Sequence, residues 1–243
     1  MIKFLKLFLI FYILSLASVL AVTDTPSVYK VTMKKVEICE AGSSDTSCSN
    51  GVTLGEGSKE VDISSVTAGA SAGSFGSAAK IPAGKTYTYM QVTISRIITL
   101  KGTGTSWKAG NTCYTNSSDT SSSTTRPGLG TATEGDLDEQ SVYIPHSGTW
   151  TMNGGGTTTI TMSDVVSGYL STTDTTQSAG TVDSGDDQIK YRMKLTSSFT
   201  AGVDKFPTVK IAFDVANAAN FINGGGDNCE IWPGEPSVSV TLQ

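Results

Sequence analysis

Ile189, Tyr191, Met193 and Leu195 alternate with Lys190, Arg192, Lys194 and Thr196. This period of two fits an extended strand with one apolar and one wet face, and it fits no helix. The segment from Thr86 to Leu100 carries the same pattern at greater length. Thr88, Met90, Val92, Ile94, Ile98 and Leu100 share one parity with Arg96 as the exception, and Tyr87, Tyr89, Gln91, Thr93 and Ser95 hold the other. In the segment from Tyr29 to Cys39 the phase changes midway: Tyr29, Val31 and Met33 lie on one parity, Val36 and Ile38 on the other. An extra residue near Lys34 and Lys35 would restore a single apolar face, which predicts a β-bulge there. Burial on both faces is the competing explanation.

Further strands are expected at Val61 to Val66, Val142 to Ile144, Thr149 to Met152, Thr157 to Val165, Thr208 to Val215 and Ser237 to Leu242. Asn153-Gly154-Gly155-Gly156 is a hairpin signal, flanked by Trp150 and Ile160 as apolar partners. Val215 to Phe221 suggests one short helical turn, and nothing suggests a βαβ unit. Thr67 to Ala79 and Gly102 to Gln140 are expected to be loops, the second with a Ser/Thr run from Ser117 to Thr125. The predicted fold is an all-β antiparallel β-sandwich, immunoglobulin-like or jelly-roll-like, of about eight to ten strands.

Export is expected from the first residues. Lys3 and Lys6, an apolar run from Leu7 to Leu14 and the exit Val19-Leu20-Ala21 make residues 1–21 a signal peptide. Residues 22–243 would then form a single β-sandwich domain with a long Ser/Thr/Gly-rich loop near 102–140. Without Lys3 and Lys6 the formal charge moves from -5 to -7, an acidic balance that argues against nucleic acid as a partner. The expected location is extracellular or at the cell surface, or periplasmic in a bacterium, with no membrane span once the leader is removed.

In such a compartment Cys39, Cys48, Cys113 and Cys229 should form two disulfides. The turn-rich stretch between Cys39 and Cys48 favours pairing these two, which leaves Cys113 with Cys229. Zinc is disfavoured because no C-x-x-C pair occurs and His146 is the single histidine.

The remaining motifs are weak. Gly69-Ala70-Ser71-Ala72-Gly73 matches the nucleophile-elbow pattern, with His146 downstream, but the residues after it start no helix and a Gly/Ala/Ser tract produces the pattern by chance. Acidic residues gather at Glu134, Asp136, Asp138 and Glu139, at Asp183, Asp186 and Asp187, and at Asp227 beside Asn228. Such carboxylates suit Ca²⁺, or an acid and base for glycoside cleavage, yet none has EF-hand spacing and ordinary solvated loop charge is the preferred reading. Trp107, Trp150, Trp232, Tyr87 and Tyr89 are candidates for stacking on sugars, although such residues more often pack in a core. Trp107 stands out as a possible ligand-binding residue because it lies in the long loop, outside any alternating strand. Asn116-Ser117-Ser118 is a formal glycosylation acceptor.

No cofactor and no catalytic site are expected. The expected role is a non-catalytic cell-surface structural or adhesive protein, a filament or pilus-like subunit that self-assembles by adding one of the segments Tyr29 to Cys39 or Ser237 to Gln243 to a neighbour's sheet. The alternative is a secreted module that binds a glycan or another surface ligand, with calcium as an aid.

Overall fold

The structure is a computed structural model and describes residues 22–44, 47–65, 81–105, 112–117, 128–131, 137–144, 148–151, 157–160, 165–169, 185–203, 209–223, 229–234 and 236–242. The strands in chain order are β1 (Val22–Asp24), β2 (Val28–Glu40), β3 (Val52–Asp62), β4 (Thr86–Lys101), β5 (Thr103–Thr105), β6 (Thr112–Tyr114), β7 (Gly128–Gly130) and β8 (Gln140–Tyr143). They continue with β9 (Gly148–Thr151), β10 (Thr157–Ile160), β11 (Val165–Tyr169), β12 (Gln188–Thr200), β13 (Val209–Asp214), β14 (Ala219–Asn223), β15 (Cys229–Pro233) and β16 (Ser237–Leu242). There are more strands than the eight to ten expected because many are short ribbons; only β2, β3, β4 and β12 exceed ten residues.

Among the described residues every pairing is antiparallel. The largest sheet runs β11-β12-β4-β2-β3, with β8 joining β4 past the end of the β12 ladder. A four-stranded sheet runs β1-β14-β15-β7, and β13–β16, β9–β10 and β5–β6 form two-stranded ribbons.

The phase change in β2 is a bulge. Met33 opposes Ile94 and Lys35 opposes Thr93, so Lys34 is the extra residue and Val36 returns to the face that Met33 occupies. On β4 the compensating irregularity is larger: Ser95, Arg96 and Ile97 lie opposite Thr32 alone. The result is one continuous row of cross-strand apolar pairs, Val31 with Ile98, Met33 with Ile94, Val36 with Val92 and Ile38 with Met90.

That row is the floor of the core. At one end Tyr29, Val31, Ile98, Leu100 and Ile189 pack with Phe221 and Ile231 of the four-stranded sheet. At the other, Val36, Ile38, Met90, Val92 and Leu195 pack with Ile211 of β13 and Val238 of β16. Met33 and Ile94 touch both groups. A sheet roofed in this way is a β-sandwich, and each fully buried Ile, Leu or Phe in it contributes about 1.5–3 kcal/mol. The fit is tight where Phe221 lies on β5: a Cβ on Gly104 would run into the ring.

Both disulfides form as the sequence suggests. Cys39 joins Cys48 across a separation of 9 residues, and Cys113 joins Cys229 across 116. By the chain-entropy argument the second restricts the unfolded chain more, by about 5 kcal/mol against about 3. It fastens the β5–β6 ribbon to β15.

Arg96, the polar residue at an apolar parity, is wholly buried. Its guanidinium donates from Nε to the Ile144 carbonyl at 2.8 Å and from Nη1 to the Asp186 carbonyl at 3.0 Å, and it lies over the Tyr143 ring. Its backbone N–H also donates to the carbonyl of Asp187. The β4 irregularity thus aims one cation at the ends of β8 and β12 and ties them together.

Four expectations need correction. β3 begins at Val52, well before Val61, because Gly55-Glu56-Gly57-Ser58 hides a strand that pairing with β2 imposes. The stretch Gly102 to Gln140 contains β5, β6 and β7. Val215 to Phe221 is no helical turn: Ala218 N–H donates to the Val215 carbonyl, Asn217 takes φ of 64° and β14 starts at Ala219. The β9–β10 hairpin is present, but Trp150 opposes Thr158 and Ile160 opposes Gly148.

Candidate functional site

The side of the largest sheet away from the core is held by polar residues in register. One rung reads Lys35, Thr93, Lys190 and the next reads Glu37, Gln91, Arg192, across β2, β4 and β12. A third reads Cys39, Tyr89, Lys194. Neighbouring strands lie about 4.8 Å apart, so each rung spans about 10 Å.

The middle rung is joined by hydrogen bonds. Arg192 Nε donates to Gln91 Oε1 at 3.0 Å, and Gln91 Nε2 donates to Glu37 Oε2 at 2.9 Å. Lys35 Nζ, from the neighbouring rung, donates to Glu37 Oε1 at 2.7 Å. Arg192 Nη1 reaches the Ser44 carbonyl at 3.4 Å, which brings the loop closed by Cys39–Cys48 against this face. Gln91 and Thr93 are 5% and 1% exposed, so β4 forms a packed centre to these rungs, whereas Lys35, Lys190 and Arg192 are half-buried and Lys194 is exposed.

Lys35 of β2 and Lys190, Arg192 and Lys194 of β12 flank β4, with Glu37 beside Lys35 on β2 and Glu56 opposite Lys35 on β3. Burial alone pushes the Glu37 carboxyl up, but hydrogen bonds from Lys35 and Gln91, with the charges of Lys35 and Lys190, hold it below its ordinary value. Lys190 moves down: burial disfavours its ammonium and Lys35 and Arg192 repel it, against the attraction of Glu37. Among the described residues the Thr93 hydroxyl, between Lys35 and Lys190, has no hydrogen-bond partner.

The residues singled out from the sequence fall elsewhere or pack. Trp107, Ser71, His146, Glu134, Asp136, Asp183, Asp227 and Asn228 lie outside the described residues. Trp150 is in β9. Tyr87 and Trp232 are buried, Tyr87 within the core, whereas Tyr89 lies in the polar layer beside Gln91. Glu139 pairs with Lys30 at 2.6 Å, and Asp138 accepts from the Glu139 N–H. Asp186 is buried beside the Arg96 clamp. Among the described residues no three His, Cys, Asp or Glu side chains converge to hold a metal.

Sequence reading missed the polar layer because it assigned Lys190, Arg192, Gln91 and Thr93 to wet strand faces. Only the register, which stacks three such faces in line, reveals them as one surface. Comparison of the chain with known protein families, with curated proteins and with solved structures finds no match. The two disulfides are consistent with an oxidising extracellular or periplasmic environment. Among the described residues no helix is long and apolar enough to cross a membrane.

Proposed function

We propose that the protein is a non-catalytic extracellular structural subunit, adhesive or filament-forming, whose copies join by strand addition at the edge of β16. The supporting observation is the character of that edge. Ser237–Leu242 contains no charge, proline or glycine, runs against β13 in unbroken register, and pairs among the described residues with β13 alone. An uncharged, regular edge strand is a template for another chain.

The other terminal candidate, the segment from Tyr29 to Cys39, does not suit this role, because β2 is bonded to β3 on one side and β4 on the other. The long edge strand β3 is guarded: it carries Glu56, Lys59 and Glu60, bends at register shifts, and has Gly57 at φ of 130°. Such features deter edge pairing.

The test is light scattering and negative-stain imaging of the disulfide-bonded protein over a concentration series, beside Ser239→Lys and Thr241→Lys. These two positions alternate with Val238, which packs on the core. Assembly that the lysines abolish, with the thermal midpoint of the monomer preserved, is the expected result. Monomers at every concentration, or assembly indifferent to both lysines, would reject the proposal.

A further inference from the structure

Glu40 closes β2, and its two carboxylate oxygens hold different partners. Oε1 lies 3.2 Å from Nζ of Lys85, at the entry to β4, and Oε2 accepts from Nδ2 of Asn50 at 2.8 Å, at the entry to β3. β2 lies between those two strands, so the carboxylate bridges the approaches to both of its neighbours. An amine and a carboxamide held on one carboxylate are a nucleophile, an electrophile and a base, the groups from which an amide bond can be made without a cofactor.

The backbone keeps the three together. Glu40 N–H donates to the Ser49 carbonyl at 2.9 Å and Ala41 N–H donates to the Thr86 carbonyl at 2.7 Å, which pins this corner to the residue before Asn50 and to the residue after Lys85. Cys39–Cys48 ties the same turn beside Glu40. Asn50 takes φ of 44° ahead of Gly51, a left-handed turn that returns its side chain to Glu40. The Glu40 side chain is 14% exposed, and hydrogen bonds from Asn50 and Lys85 hold its carboxyl below its ordinary value, so it stands ionised beside both. Groups fixed in this way react as if at high local concentration.

We infer that Lys85 and Asn50 join in an intramolecular isopeptide bond, with Glu40 as the proton carrier. Glu40 takes a proton from the Lys85 ammonium, and the freed amine attacks Cγ of Asn50. The Nζ–Cγ bond forms and the Cγ–Nδ2 bond breaks. Glu40 carries the protons that Nζ sheds to Nδ2, which leaves as ammonium. No electron enters or leaves and no co-reactant is consumed. The product staples the entries of β3 and β4 across the end of β2, a tie that a reductant cannot open. It forms within one chain and is independent of how copies of the protein meet.

Intact mass of the disulfide-bonded protein, followed during incubation at alkaline pH and then by reduction and peptide mapping, tests this. The expected result is the loss of one ammonia, with the segments containing Asn50 and Lys85 recovered as one linked peptide. The free amine is the nucleophile, so the reaction should quicken as pH rises. Glu40→Gln should slow it by about 100-fold or more, and Lys85→Arg should abolish it, with circular dichroism confirming the fold of each variant. An unchanged mass would overturn the inference. So would an ammonia loss that persists in Lys85→Arg, the mark of Asn50 cyclising onto the Gly51 nitrogen, or linkage in Glu40→Gln at the unaltered rate.

Discussion

The two faces of the largest sheet are built from the same strands and follow opposite rules. On the core face, Val31, Met33, Val36 and Ile38 meet Ile98, Ile94, Val92 and Met90 in pairs, and any side chain of suitable volume and shape would serve. On the other face, Arg192, Gln91, Glu37 and Lys35 form a chain of hydrogen bonds in which each member needs its particular partner. The first face supplies stability through area, and the second fixes geometry at small net gain.

Mutation separates the two in order of effect. Ile98→Ala, at a residue 1% exposed in the core row, should lower unfolding free energy by about 3–4 kcal/mol in chemical denaturation. Gln91→Ala should cost about 1–3 kcal/mol, since it strips Arg192 and Glu37 of a shared partner in a poorly hydrated layer. A loss equal to that of Ile98→Ala would erase the contrast.

Acid should weaken the polar layer next. The folded Glu37 carboxyl titrates below its ordinary value of 4.5, so its contribution is fully present above pH 4.5 and is lost as pH falls through the lower folded value. Glu37→Gln should therefore flatten the acid limb of the stability profile. Smallest of all, Lys190→Met should raise the denaturation midpoint at neutral pH. The folded ammonium titrates low, so its penalty is complete below the folded value and disappears as pH rises through it toward 10.5. A fall in the midpoint would show that Lys190 is held by favourable contacts alone.

Alternation made the long strands legible. β12 and β4 follow their parities closely, and the β2 bulge could be placed at Lys34 and Lys35 because a shift from odd to even apolar positions has few other causes. Cys39 and Cys48 were close enough in sequence to pair by inspection, and four cysteines then fixed Cys113 with Cys229. Where tertiary pairing creates the strand, the sequence is silent: the first half of β3 has one apolar residue between Thr53 and Glu60, and β5, β6 and β7 are three residues each. The role of Arg96 was visible only as an anomaly, because its acceptors are carbonyls from distant parts of the chain. The polar layer escaped for a related reason, since no motif marks residues that meet by register.

The distinction between the faces depends on the Lys34 bulge keeping β2 in phase, and a pair of single-residue deletions tests this most directly. Removing Lys34 converts the bulge to plain alternation, with Met33, Val36 and Ile38 still on the core face. Removing Glu37 instead sends Ile38 to the polar face and Cys39 to the core. Thermal unfolding with thiol titration should show the Lys34 deletion folded, cooperative and fully disulfide-bonded, and the Glu37 deletion unfolded or carrying free thiols. Equal damage from both, or a Lys34 deletion that unfolds while the Glu37 deletion survives, would contradict the account.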